Sequence, residues 1–121
     1  MKAKAKPGPR LRPRIRVLYG DDIALGPGKV DLLLLVGQTG SIREAAERMG
    51  MSYMRAWKLI KTVNACFKEP LVEAVRGGRT HGGATLTKAG RKALELYQRM
   101  ETDCLNATEP RWDEMKSLLR G

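Results

Sequence analysis

Tyr53, Met54, Trp57, Lys58 and Lys61 offer more chemistry than any other stretch of the sequence. If Ala56, Ile60 and Val63 face a core at helical spacing, these five point away from it, with Arg55 on the flank. Cations on such a face reach phosphates and guanine edges, and apolar groups meet thymine methyls. Ser52 caps the start of this helix, leaving backbone N–H groups there that suit a phosphate. Tyr53 and Trp57 could equally pack on a neighbouring element, so the whole face carries the reading rather than either aromatic alone.

A second constellation is Gly77-Gly78-Arg79-Thr80-His81-Gly82-Gly83, preceded by Arg76. Its glycines let a backbone approach a groove or a phosphate closely. It is not a nucleotide-binding P-loop, which needs Gly, four residues, then Gly-Lys-Ser/Thr. Gly77 and Gly82 are followed by Gly83-Ala84, and no lysine is in place. A mobile surface loop with incidental charge is the plain alternative. Nucleophilic or acid–base catalysis finds no matching set, since Asp21 and Asp22 are adjacent in a turn and His81 is the single histidine. Cys66 and Cys104 are distant in sequence and sit among apolar residues, as buried free thiols do. No metal and no cofactor is expected, and no enzyme.

The elements that would position these groups follow from periodicity. Arg14–Tyr19 alternates, Gly20-Asp21-Asp22 is a turn signal, and Ile23–Leu25 reads as the returning strand. A helix is predicted over 29–38, with Val30, Leu33, Leu34 and Leu35 inward and Gly37 and Gly40 bracketing its end. Ser41 and Glu44 make a capping-box pattern for a second helix, which Gly50 stops. The third helix follows Ser52. Two helices separated by about four residues, 49–52, match a helix-turn-helix. Leu71–Arg76 and Ala84–Leu86 read as strands flanking the glycine loop, which makes that loop a wing. Thr87 caps a long helix to about Asn106, with Ala89, Ala93, Leu94, Leu96, Tyr97, Met100 and Leu105 on its apolar face. Glu109-Pro110 is expected to break it, with a short helix over 111–119. The fold class is mainly α with a small β-wing: a winged helix-turn-helix.

Charge adds less than it first suggests. The net charge is +10 over 121 residues, but residues 1–18 hold seven of the cations and no acid. Such a bias favours a polyanionic partner, although basic arms also serve as solubilising tails. Pro7, Pro9 and Pro13 argue that 1–13 is disordered. Three segments are expected: a basic arm at 1–13, the winged-helix domain at 14–107 and a helical tail at 108–121. Leu32–Val36 is the longest aliphatic run, far short of the roughly 20 residues a membrane span requires. A cytoplasmic, non-membrane protein is expected.

Ser41-Ile42-Arg43-Glu44-Ala45-Ala46, then Met51-Ser52-Tyr53 and Ala56-Trp57, resembles the N-terminal domain of the molybdenum-responsive ModE-type transcriptional regulators. So does the glycine wing running into Ala84-Thr85-Leu86-Thr87-Lys88-Ala89-Gly90, and the broader pattern is similar to LysR-type DNA-binding domains. The resemblance covers about Gly28 to Leu105. It implies a homodimer paired through the helix at about 88–106, with third helices in successive major grooves of double-stranded DNA. It implies that Ser41, Ser52, Tyr53, Met54, Trp57, Lys58 and Lys61 lie at the DNA surface, and that Arg76, Arg79 and His81 are wing contacts. ModE proteins bind molybdate in a C-terminal domain. Residues 111–121 are too few to build one, so a stand-alone DNA-binding domain is expected, compatible with a place in molybdate-linked gene control. A non-specific nucleoid or RNA-binding protein and a winged-helix protein-assembly module stay open as alternatives.

Overall fold

The computed structural model describes residues 7–75 and 83–121. The elements run β1 (Val17–Tyr19), β2 (Asp22–Leu25), α1 (Pro27–Thr39), α2 (Ile42–Met49), α3 (Tyr53–Cys66), β3 (Val72–Ala74), β4 (Ala84–Leu86) and α4 (Lys88–Lys116). β1–β2 and β3–β4 are separate antiparallel pairs. Among the described residues no helix is long and apolar enough to cross a membrane.

The N-terminal hairpin is shorter than the alternation predicts. Gly20 takes the left-handed conformation in its turn, and the register shifts between Val17 and Leu18. β2 ends at Leu25 because Pro27 already opens α1, where its missing N–H costs nothing. Arg14–Arg16 therefore has no strand to pair with. Ile15 is held differently: its carbonyl accepts a 2.7 Å hydrogen bond from the Tyr97 hydroxyl on α4.

α1 is the centre of the core. Val30 and Leu33 are buried as expected, but Leu32 and Val36 are fully buried while Leu34 and Leu35 are only half-buried. The reason is that α1 touches α2 and α3 as well as β4 and α4, so it needs more than one apolar stripe. Gly37 lies inside the helix rather than at its end. A side chain there would begin 2.8 Å from the Leu86 side chain of β4. The helix stops at Gly40, and α2 stops at Gly50, both left-handed with φ near +70°.

α4 is anchored at its start. The Thr87 hydroxyl accepts from Gly90 N–H at 2.9 Å and donates to the Pro70 carbonyl at 2.6 Å, while Thr87 N–H bonds the Leu71 carbonyl at 2.9 Å. Gly90, Leu94 and Tyr97 face the core. The expected break at Glu109-Pro110 does not occur, and the helix passes through Pro110 to Lys116. Proline leaves the Asn106 carbonyl without its helical partner. Here that carbonyl lies on an exposed stretch, where water can answer it, and the residues that follow are mostly good helix formers.

Two outcomes follow. A Cβ at Gly90 would fall 2.1 Å from the Leu71 carbonyl oxygen, a backbone atom that cannot swing away. Gly90→Ala should therefore destabilise the fold by about 1–3 kcal/mol. Helix propensity alone predicts the opposite sign, a gain of about 1 kcal/mol. Denaturant titration decides between them, and an unchanged or raised midpoint would remove the close approach as a constraint.

The second concerns Tyr97. Burial pushes its hydroxyl above the ordinary tyrosine value, and the Glu101 charge adds in the same direction. The folded state thus holds the phenolic proton more tightly than the unfolded chain. That stabilisation is complete below the unfolded value, near 10, and is lost as pH rises through the folded one. Stability of the wild type should fall more steeply above that range than stability of Tyr97→Phe. Parallel curves from pH 8 upward would assign the loss to other groups.

Candidate nucleic-acid interface

α2 and α3 are joined by a tight corner. Gly50 N–H bonds the Ala46 and Glu47 carbonyls, and Met51 N–H bonds Ala46. The Ser52 hydroxyl accepts from Arg55 N–H at 3.1 Å and so caps α3. Ser41 caps α2 in the same way through Glu44 N–H, also at 3.1 Å. The return half of the predicted capping box is replaced: Ser41 N–H bonds the Thr39 hydroxyl, and the Glu44 carboxylate pairs with Arg48. Both serines therefore have structural work. Ser52 is exposed and Ser41 half-buried.

Ala56, Ile60 and Val63 bury one face of α3 as predicted. Met54, Trp57, Lys58 and Lys61 are exposed together on the other, with Tyr53 half-buried at its edge. The aromatics neither simply pack nor simply project. Lys61 Nζ sits 5.0 Å from the centre of the Trp57 ring, and the Arg43 guanidinium of α2 sits 4.7 Å from that of Tyr53. Such exposed cation–π contacts contribute about 0.5–1 kcal/mol each. Their larger effect is to hold flexible cations in place. Arg43 thus joins the face. Sequence reasoning missed it because only the third helix was read for an outward face.

Arg55 stands apart from that face, on the flank where the sequence puts it. It lines a groove with Arg14, Arg16 and Lys29, on the flank of α3 that meets the N-terminal hairpin. The opposite flank carries Asn64, also missed. Its side-chain oxygen accepts from Leu71 N–H at 2.9 Å and Val72 N–H at 3.2 Å, and its amide donates to the Val72 carbonyl at 2.9 Å. One side chain thereby ties the last turns of α3 to β3, the first strand of the wing. A polar residue at helical position 64, between Val63 and the exposed Ala65, was the available signal.

The wing root is tied down on its other side as well. Ala84 N–H bonds the Gly40 carbonyl at 3.0 Å, Val75 N–H bonds Gly83 at 2.9 Å, and Ser41 pairs with Gly83 as an isolated bridge. Ser41 borders a groove here in which Glu44 and Glu47 offset Arg43, so this end is not uniformly positive. Arg76, Arg79 and His81 lie outside the described residues. Among the described residues no group of three His, Cys, Asp or Glu could hold a metal ion, and Cys66 and Cys104 are free thiols.

Residues 29–91, from α1 to the first turn of α4, match the family described as "Bacterial regulatory helix-turn-helix protein, lysR family". The chain is 42% identical over 85 residues to the molybdenum-pterin-binding protein MopB of Rhodobacter capsulatus, covering 70% of this chain and 32% of that protein. It is 38% identical over 71 residues to the DNA-binding transcriptional dual regulator ModE of Escherichia coli K12, covering 59% of this chain and 27% of that one. The chain thus spans about a third of the length of the curated relatives it matches. In the crystal structure of the CbnR_DBD-DNA complex, a similar fold covers 77% of this chain and 97% of that one, with a TM-score of 0.53 at 24% identity.

Asn64→Ala should cost about 1–3 kcal/mol, because it leaves the N–H groups of two buried residues, Leu71 and Val72, without an acceptor. Asn64→Asp keeps the acceptor and should lose less. Equal losses in urea unfolding would mean that the two N–H bonds are not what the side chain contributes.

Proposed function

We propose that this chain, which belongs to the lysR family of bacterial regulatory helix-turn-helix proteins, binds double-stranded DNA in a sequence-specific way and regulates transcription as a homodimer. The observation that carries the reading is the exposed face of α3, where Met54, Trp57, Lys58 and Lys61 project beside a wing root fixed by Asn64. In this reading α3 enters the major groove, with Tyr53 and Ser52 at its leading end and Arg43 reaching the adjacent backbone. Arg76, Arg79 and His81 would lie on the flanking groove or backbone. Residues 14–107 supply reading and pairing, and the basic arm at 1–13 adds charge. Likeness to MopB and ModE supports a place in molybdenum-dependent gene control.

Pairing is supported by α4. Leu96, Met100 and Leu105 are exposed, and Leu96 and Met100 line an apolar groove with Phe67, Ala93 and Tyr97. A second copy of the same helix would cover it, and two-fold symmetry would then set half-sites about one helical turn apart, roughly 34 Å.

Selection of binding sites from random duplex DNA tests the function. An inverted repeat is expected from the wild type, and Leu96→Glu should weaken both its binding and the dimer seen by sedimentation. A selection that returns no motif would refute sequence-specific regulation in favour of a charge-driven nucleoid protein.

A further inference from the structure

The groove between the N-terminal hairpin and the start of α3 lies apart from the exposed aromatic–cationic face. Arg14, Arg16, Lys29 and Arg55 line its volume of about 370 Å³, and no acidic residue does. The ion pairs among the described residues, Glu44–Arg48, Glu95–Arg99 and Asp113–Lys116, involve none of the four. They are also positioned rather than merely near. The Arg16 side chain packs along the Gly26 backbone, its Cγ at an ordinary contact distance, 3.5 Å, from where a Gly26 side chain would begin. Lys29 Nζ donates to the Ile23 carbonyl, which draws its head to the hairpin side. The Ile15 carbonyl, between the two arginines, is pinned to α4 by Tyr97. Four like charges gathered around one groove repel one another, and an anion relieves this.

The location selects the anion. A helix of roughly 10–12 Å diameter fills a major groove about 12 Å wide, so its flanks meet the sugar–phosphate strands on either side. The wing root occupies one flank of α3, through Asn64. Arg55 and the hairpin occupy the other. The cations also continue beyond the groove. Arg10, Arg12, Arg14 and Arg16 recur at alternate positions outside any helix. In an extended chain, alternate side chains share one side about 6.6 Å apart, which is similar to the step between successive phosphates on one strand. A small free oxyanion would not need such a row.

We infer that this groove is a phosphodiester-binding cleft, in which Arg14, Arg16, Lys29 and Arg55 grip the DNA strand on the lip of the major groove opposite the wing. The inference rests on the DNA-binding reading above. It makes these residues uniform anchors, with no part in choosing the sequence.

The test uses the full chain, wild type and two double variants, Arg14→Gln/Arg16→Gln and Arg14→Lys/Arg16→Lys. Affinity is measured on the selected site and on a scrambled duplex across a salt series. The glutamine variant should lose affinity by a similar factor on both duplexes, on the order of tenfold, and its salt slope should shrink by about 0.9 for each phosphate no longer neutralised. The lysine variant should keep most of the slope, which separates lost charge from lost folding. A glutamine variant with the wild-type slope overturns the inference and leaves DNA binding by α3 intact. Saturable binding of inorganic phosphate alone, abolished in the glutamine variant while the DNA slope is unchanged, also overturns it and makes the groove a small-anion site. A wild type with no salt-dependent DNA binding defeats the functional reading itself.

Discussion

The arrangement of the whole domain depends on the backbone of Pro70 and Leu71. Leu71 is buried, its N–H is held by Asn64 of α3, and its carbonyl is held by Thr87 N–H. Gly90 presses α4 directly against that same carbonyl, and the Thr87 hydroxyl takes the Pro70 carbonyl. Three successive elements are therefore indexed to one short stretch of backbone: the α3 helix, the first wing strand and the long helix. None of these contacts is long-range electrostatics. They are short hydrogen bonds and a steric fit, which fix position closely and leave little slack.

From that fixed point the exposed face acquires its form. From α3 the core buries Ala56, Ile60 and Val63, and Tyr53 and Leu59 in part, which leaves about half of the helix circumference outside. That remainder divides into three: an aromatic–cationic face, a flank taken by the wing and a flank taken by the hairpin. The aromatic rings carry two loads at once. Tyr53 packs in part against the core, and the ring faces of Tyr53 and Trp57 meet Arg43 and Lys61.

Much of this was legible in the sequence, and the reasons are local. Ser41, Ser52 and Thr87 are helix starts because a hydroxyl can satisfy an N–H three residues on. Gly40 and Gly50 are stops because they take a left-handed conformation that other residues resist. What could not be read was set by tertiary context. Leu32 and Val36 are buried because α1 is covered on several sides, which no single-stripe pattern reveals. Pro110 is tolerated because its surroundings are wet. Asn64 binds a strand seven and eight residues later, and Arg55 turns toward a hairpin that precedes it by some thirty residues. Helical periodicity separates inside from outside. It does not say which neighbour each outer side meets.

The close seat of α4 has a mechanical consequence. Beyond Tyr97 the helix runs on for 19 residues with its surface mostly bare, an overhang of about 28 Å. It acts as a lever whose fulcrum is the Gly90–Leu71 contact. A tilt of only about 10° there moves the far end, about 39 Å away along the helix, by about 7 Å, more than the roughly 3.4 Å rise of one base pair. A protein that measured distance along a duplex with such an arm would need a stiff pivot more than a stiff arm. A glycine jammed against a carbonyl, at a cost in helix propensity, is what a stiff pivot looks like at atomic scale.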